Sequence, residues 1–261
     1  MKIHIITMED PVYTIGFIKD IIRSRSKDIV GLTIAKGGRF EIGHKRSKAV
    51  YMLSLLLIMG IPSFTGYAFK TLSYKLRKKM SLGFDSSLEN FVRRYGIPVD
   101  FTDNPNSRGY LDKLKDLAPD VIINQSQFII KKELLSLAPL GMLNRHNALL
   151  PKNRGRLTPF WVLYKGEKKT GVSIHFVEEG VDSGPIVVQK RFTVERGETF
   201  GSLAHKNYIH ASLAMLEALD KLENGDTDYL PNPDDQATYN TVPTLRQAWD
   251  YREKRLFRFF V

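Results

Sequence analysis

The sequence has no cysteine, so disulfide cross-links and thiolate metal sites are not among the means that hold it together or do its chemistry. A reducing, cytoplasmic setting is the expectation. A secretory leader is not expected either: the opening MKIHIITMED has no apolar stretch followed by a small-residue cleavage site and reads as a first strand instead. Internal repeats and low-complexity tracts are missing. Acid is missing from one place in particular. Residues 42–84 hold eight Lys or Arg and no Asp or Glu. The chain carries +11 overall, yet outside that stretch 31 basic residues face 28 acidic ones. The basicity therefore describes one segment and its partner, not the whole surface.

What is present suits a packed domain. The 261 residues are 43% hydrophobic and 26% charged, enough for one α/β domain and an appendage. Residues 2–7, 28–35, 97–101, 120–124 and 141–144 read as strands. Amphipathic helices are expected at 13–26, 107–118 and 199–223, the last capped by Asn224-Gly225, and one more near 245–255. Ser86-Ser-Leu-Glu89 has the spacing of a capping box. Gly171–Val177 and Ile186–Val194 read as two later strands, and 226–244 as an ordered loop. Strands alternating with helices predict a mostly parallel sheet with right-handed crossovers, whose ligands bind beyond the carboxyl ends of the strands. The expected division is a catalytic domain over 1–225, interrupted by an insertion at about 43–84, and a C-terminal extension over 226–261.

The insertion contains 21 uncharged residues, 49–69, between Lys45, Arg46 and Lys48 on one side and Lys70, Lys75 and Arg77–Lys79 on the other. Gly60-Ile-Pro62 breaks it midway. Three readings stay open: a helical hairpin packed on the domain or on a second copy, an interfacial contact of residues 45–80 with the inner face of a membrane, and a span. Nucleic acid fits the long apolar centre poorly.

The chemistry-bearing residues lie further on. Asn144 and His146 are two apart at the end of an apolar run, so a strand points both to one side. Asp182 sits in the Gly-flanked loop 177–185. An amide, an imidazole and a carboxylate brought together can polarise a carbonyl, hold a developing oxyanion and take a proton from an attacking amine. His175, His205 and His210 read as structural, and His4 and His44 show no evident partner.

From 141 to 187 the order becomes specific: Asn144-x-His146, Leu149-Leu-Pro151, Arg154-Gly155, Thr170-Gly-Val-Ser173 and Asp182-Ser-Gly-Pro-Ile186, with 36 positions from His146 to Asp182. This set resembles the 10-formyltetrahydrofolate-dependent formyltransferases, which act on glycinamide ribonucleotide, methionyl-tRNA or nucleotide-linked amino sugars. The resemblance implies a Rossmann-like sheet flanked by helices and an enzyme that needs no metal. It implies Asn144, His146 and Asp182 as catalytic residues: Asn144 and protonated His146 stabilise the oxyanion, and Asp182 orients His146 and helps remove the amine proton. It places the folate donor on Gln127, Phe128, Ile129 and Ile130, with Leu135 beneath, and on Val177, Glu178, Glu179 and Gly180. Arg154 and Trp161 become acceptor contacts. Thr7-Met-Glu-Asp-Pro11 stands where a Gly-rich phosphate loop would serve glycinamide ribonucleotide, and its carboxylates would repel phosphate. Some 36 residues after Gly225 are fewer than a tRNA-binding barrel needs. Asn153-Arg-Gly155 with Pro159-Phe-Trp161 is similar to the amino-sugar branch. The expected partners are a small-molecule amine acceptor, a membrane surface and a second copy. The rival of another class is a non-catalytic membrane-associated binding protein on this fold.

Overall fold

The computed structural model describes residues 1–12, 14–36, 48–81, 83 and 85–257. The glycine break at 37–38, His44, Lys45, Arg46 and the tail beyond 257 lie outside them. In chain order the elements are β1 (Ile3–Thr7), α1 (Ile15–Arg25), β2 (Ile29–Ala35), α2 (Lys48–Met59), α3 (Ile61–Lys79), α4 (Leu88–Arg93), β3 (Val99–Thr102), α5 (Arg108–Leu117), β4 (Val121–Gln125), α6 (Lys132–Leu135), β5 (Met142–His146), β6 (Arg154–Gly155), α7 (Thr158–Lys165), β7 (Lys169–Phe176), β8 (Ile186–Thr193), α8 (Phe200–Glu223), β9 (Tyr239–Asn240) and α9 (Leu245–Phe257).

Seven strands make one sheet in the order β3-β2-β1-β4-β5-β7-β8. The first five run parallel, and β7 and β8 add an antiparallel edge. β1 is buried along its whole length, as a central parallel strand covered on both faces must be, and its near-continuous apolar sequence follows from that. One face packs Phe17, Ile18, Ile21 and Ile22 of α1 with Ala211, Ala214, Met215 and Leu219 of α8. The other packs Tyr110 and Leu114 of α5 with Leu134 and Met142. Chain order reverses between β1 and β4, so a crevice opens at the carboxyl ends of β1, β4 and β5.

Helix α8 begins with a full capping box between Thr199 and Ser202 and ends before Gly225, whose φ of 70° closes it. At α4 the expected box is displaced by one: Ser87, not Ser86, caps the helix, accepting from the Asn90 N–H at 3.0 Å. Ser86 instead takes the Asn90 side-chain amide at 2.7 Å. His4 does have partners. Its Nε2 lies 3.0 Å from Thr33 Oγ1 and 3.3 Å from Tyr110 Oη.

The insertion is two helices, broken where the sequence breaks it. Gly60 has φ 76° and Pro62 sits in the first turn of α3. α2 packs on α9, and α3 is tied down by Tyr74 and Lys78, which both reach Glu9. No helix among the described residues is long and apolar enough to cross a membrane. The segment after Gly225 is not a loose appendage. Ile186 bridges Leu230, and β9 pairs in parallel with β6.

Candidate active site

A cleft of about 660 Å³ occupies the crevice. Asn124 and Gln125 end β4, Asn144 and His146 end β5, and the loop before β8 carries Asp182; all five line it. The three residues singled out in the sequence therefore share one wall. His146 Nδ1 is 3.3 Å from Asp182 Oδ2. Its Nε2 donates to the Asn153 carbonyl at 2.7 Å, which fixes a proton on that nitrogen. Both ring nitrogens thus face acceptors. Burial pushes the His146 pKa down, and Asp182 partly opposes the shift.

Asp182 is held at φ 50°, a left-handed conformation that Asp tolerates better than most residues. Its Oδ2 accepts the Gly155 N–H at 2.8 Å, and its Oδ1 lies 3.5 Å from His175 Nε2. Burial alone would raise its pKa. When the rings are protonated, the charge of His146, then the hydrogen bond and charge of His175, together with the Gly155 N–H, outweigh that and hold the carboxyl well below its ordinary range.

His175, read from the sequence as structural, belongs to this constellation. β5 and β7 pair antiparallel with His175 opposite Asn144. His175 Nδ1 donates to the Phe176 carbonyl at 2.8 Å. The neutral ring then turns its Nε2 lone pair toward Asn144 Nδ2, 3.4 Å away; protonated, it can donate to Asp182. Gln125 donates to Asn144 Oδ1 at 2.9 Å. The Asn144 amide is thereby oriented, with one N–H spent on His175 and one left for a ligand. The polar alternation Ser173, His175 between Val172, Ile174 and Phe176 was the available signal for His175, because period two puts both polar residues on one face.

The donor residues named from the sequence divide. Gln127, Phe128, Ile129, Ile130, Val177, Glu178, Glu179 and Gly180 line the cleft. Leu135 does not; it packs into the core cluster behind the wall. Ile129 is 75% exposed and Val181 59% exposed, and they border the cleft from the loop after β4 and from the Asp182 loop. Such apolar side chains beside fixed amides suit a flat heterocycle.

The two acceptor contacts named from the sequence are not on the cleft wall. Arg154 is wholly buried, and its guanidinium holds Asp234 Oδ1 at 2.6 Å, Tyr239 Oη at 2.7 Å, and the carbonyl and side chain of Asn232 at 2.9 and 3.0 Å. It fastens the segment after Gly225 and does not face the cleft. Trp161 packs with Phe160 and Tyr164 and donates its indole N–H to the Thr241 carbonyl at 2.9 Å; it too is absent from the wall. The wall on that side is Thr14, Tyr51, Arg145, Asn147, Arg156, Tyr208 and 239–242. Tyr51 comes from α2, and residues 239–242 from the C-terminal segment. Glu9 and Asp10 are not on this wall. Glu9 is engaged by Tyr74 and Lys78, and Asp10 accepts the Val12 N–H at 2.9 Å.

Residues 100–219 match the family model described as Formyl transferase. Over 153 residues the chain is 37% identical to the methionyl-tRNA formyltransferase of Kosmotoga olearia, a match covering 58% of this chain and 49% of the relative. The chain thus spans about half that relative's length. Its fold is similar to glycinamide ribonucleotide transformylase 1 from Symbiobacterium toebii, with a TM-score of 0.60 at 18% identity over 86% of this chain and 88% of that one. It is also similar to an N-formyltransferase from Helicobacter canadensis in complex with folinic acid and dTDP-3-aminofucose, with a TM-score of 0.55 at 14% identity over 92% and 71%.

Proposed function

We propose that this chain, which belongs to the formyltransferase family through residues 100–219, moves a formyl group from 10-formyltetrahydrofolate to the amine of an amino sugar, nucleotide- or lipid-linked, for surface glycan synthesis. The observation that carries the proposal is the meeting of Asn144, His146 and Asp182 on the wall of one cleft that also has an apolar border. The donor supplies an activated formyl carbon. Gln127, Phe128, Ile129, Ile130 and Val177–Gly180 would hold its ring. The remaining steps belong to the protein.

Asn144 points its uncommitted N–H at the formyl oxygen and stabilises the negative charge that gathers there. A carboxylate held as low as Asp182 is a weak base. The amine proton therefore goes to His146 Nδ1. That nitrogen can take it because burial leaves the ring neutral near pH 7. Once protonated, both ring N–H groups find acceptors already in place, Asp182 on one side and the Asn153 carbonyl on the other. The imidazolium so formed adds positive charge beside Asn144 and can return the proton to the departing nitrogen.

The acceptor side favours an anion. Arg145 and Arg156 stand on the wall, and guanidinium forks suit a diphosphate. Methionyl-tRNA is the second reading, favoured by the 37% identity to an enzyme of that name. A screen with 10-formyltetrahydrofolate across aminated sugar nucleotides, glycinamide ribonucleotide and methionyl-tRNA separates them. Turnover with an amino sugar at least tenfold above the others supports the proposal; preference for charged tRNA replaces it. Release of tetrahydrofolate no faster with the wild type than with His146→Ala would point to the non-catalytic rival.

A further inference from the structure

Five apolar side chains on α3 are covered by nothing in the described structure. Ile61, Phe69, Leu72, Leu76 and Met80 at its end are between 53% and 72% exposed. Their spacing, with Thr65 and Ala68 filling the gaps, is that of one helical stripe. The opposite face is the one anchored to the domain: Tyr74 enters the main core, while Phe64, Tyr67 and Thr71 are partly buried. Lys78 is held there by Glu9. At 100° per residue, Lys75 and Lys79 flank one edge of the stripe and Lys70 and Arg77 the other. No Asp or Glu occurs between residues 42 and 84, so nothing on the helix neutralises these borders. A helix of 19 residues extends roughly 28 Å, long enough to lie flat on a surface.

We infer that α3 docks this protein onto a membrane surface rich in anionic lipid, its stripe dipping into the boundary between headgroups and acyl chains and its lysines reaching the phosphates. Charge decides the occupant. A second copy of the chain, meeting this patch about a two-fold axis, would set the basic borders of the two helices, Lys70, Lys75, Arg77 and Lys79 of each, against one another. An acidic bilayer neutralises all four, at a gain of ~1 kcal/mol per basic residue near the surface. The apolar stripe then leaves water without crossing the bilayer, as suits a helix too polar on its other faces to span. α2 runs into α3 through Gly60 and puts Tyr51 on the cleft wall, so one insertion borders both the cleft and the surface.

Flotation of the full chain with vesicles tests this. The chain should float with phosphatidylcholine vesicles containing phosphatidylglycerol, remain behind with phosphatidylcholine alone, and lose binding as salt rises. Phe69→Ser/Leu72→Ser/Leu76→Ser, all exposed positions, should abolish flotation while leaving the circular dichroism and melting temperature unchanged. Lys75→Gln/Lys79→Gln should weaken partitioning about 25-fold, roughly fivefold for each lysine. Failure of the wild type to float on anionic vesicles overturns the inference, as does undiminished flotation of the triple serine variant. A dimer in sedimentation equilibrium that the triple serine variant dissolves would also overturn it, by assigning the stripe to a second copy.

Discussion

Replacing Asp182 by Asn removes a charge while keeping the shape of the site. Asn tolerates the φ of 50° found at this position, and its amide oxygen can still accept the Gly155 N–H. The fold is therefore expected to survive. What is lost is a negative charge 3.3 Å from His146 Nδ1. At an effective dielectric constant of about 20, Coulomb's law gives that contact on the order of 5 kcal/mol before neighbouring groups screen it. Opposite charges this close move a pKa by roughly 1–3 units in folded proteins. The carboxylate raises the His146 pKa against burial, so its removal must lower that pKa further. Two effects follow together. The acid limb of the kcat/KM profile, set by protonation of His146, should move to lower pH. The plateau should fall by roughly 10²–10⁴, the usual share of an oriented acid–base group, or about 3–5 kcal/mol in the barrier. The assay is formyl transfer from 10-formyltetrahydrofolate to the best acceptor across about pH 5 to 9. A loss of less than tenfold with an unmoved acid limb would refute the coupling of Asp182 to His146.

Three further outcomes are expected. Burial drives the His4 pKa down to about 4; because the unfolded chain then binds the proton more readily, stability should decline by roughly 3 kcal/mol as pH falls from about 6.5 toward 4, and denaturant titrations should find that window missing in His4→Gln. Arg154→Met removes the hydrogen bonds that hold Asn232, Asp234 and Tyr239; Asp234 is exposed and keeps its hydration, so the cost in chemical denaturation should be about 1–2 kcal/mol, from the lost hydrogen bonds; Arg154→Lys should not restore it, since one ammonium cannot span the same four acceptors. Phe128→Ala should weaken the folate donor about tenfold, equivalent to ~1.5 kcal/mol of lost burial, with the acceptor KM unchanged in steady-state kinetics.

The sheet was legible because its strands are governed by local sequence. β1 and β4 are short apolar runs bounded by polar residues and turns, and α1, α5 and α8 carry apolar residues at helical spacing. β6 and β9 were not legible. Each has two residues, too few for any period, and each exists because the other is there. The same distinction explains the site. Asn144, His146 and Asp182 stand out by residue type and order. Their support does not: the Asn153 carbonyl and the Gly155 N–H hold His146 and Asp182 from the backbone, and every residue has those groups. Arg154 between them looked like an acceptor contact for the same reason. A cation next to a motif suggests a ligand, but nothing in the sequence says which way a side chain turns, and its partners lie roughly 80 residues on. That turn has a mechanical consequence. With the Arg154 side chain locked into the C-terminal segment, the peptide groups on either side of it are held against both the imidazole and the carboxylate. The alignment of His146 and Asp182 thus depends on a guanidinium that touches neither, so loosening Arg154 should disturb the His146 pKa as well as the fold.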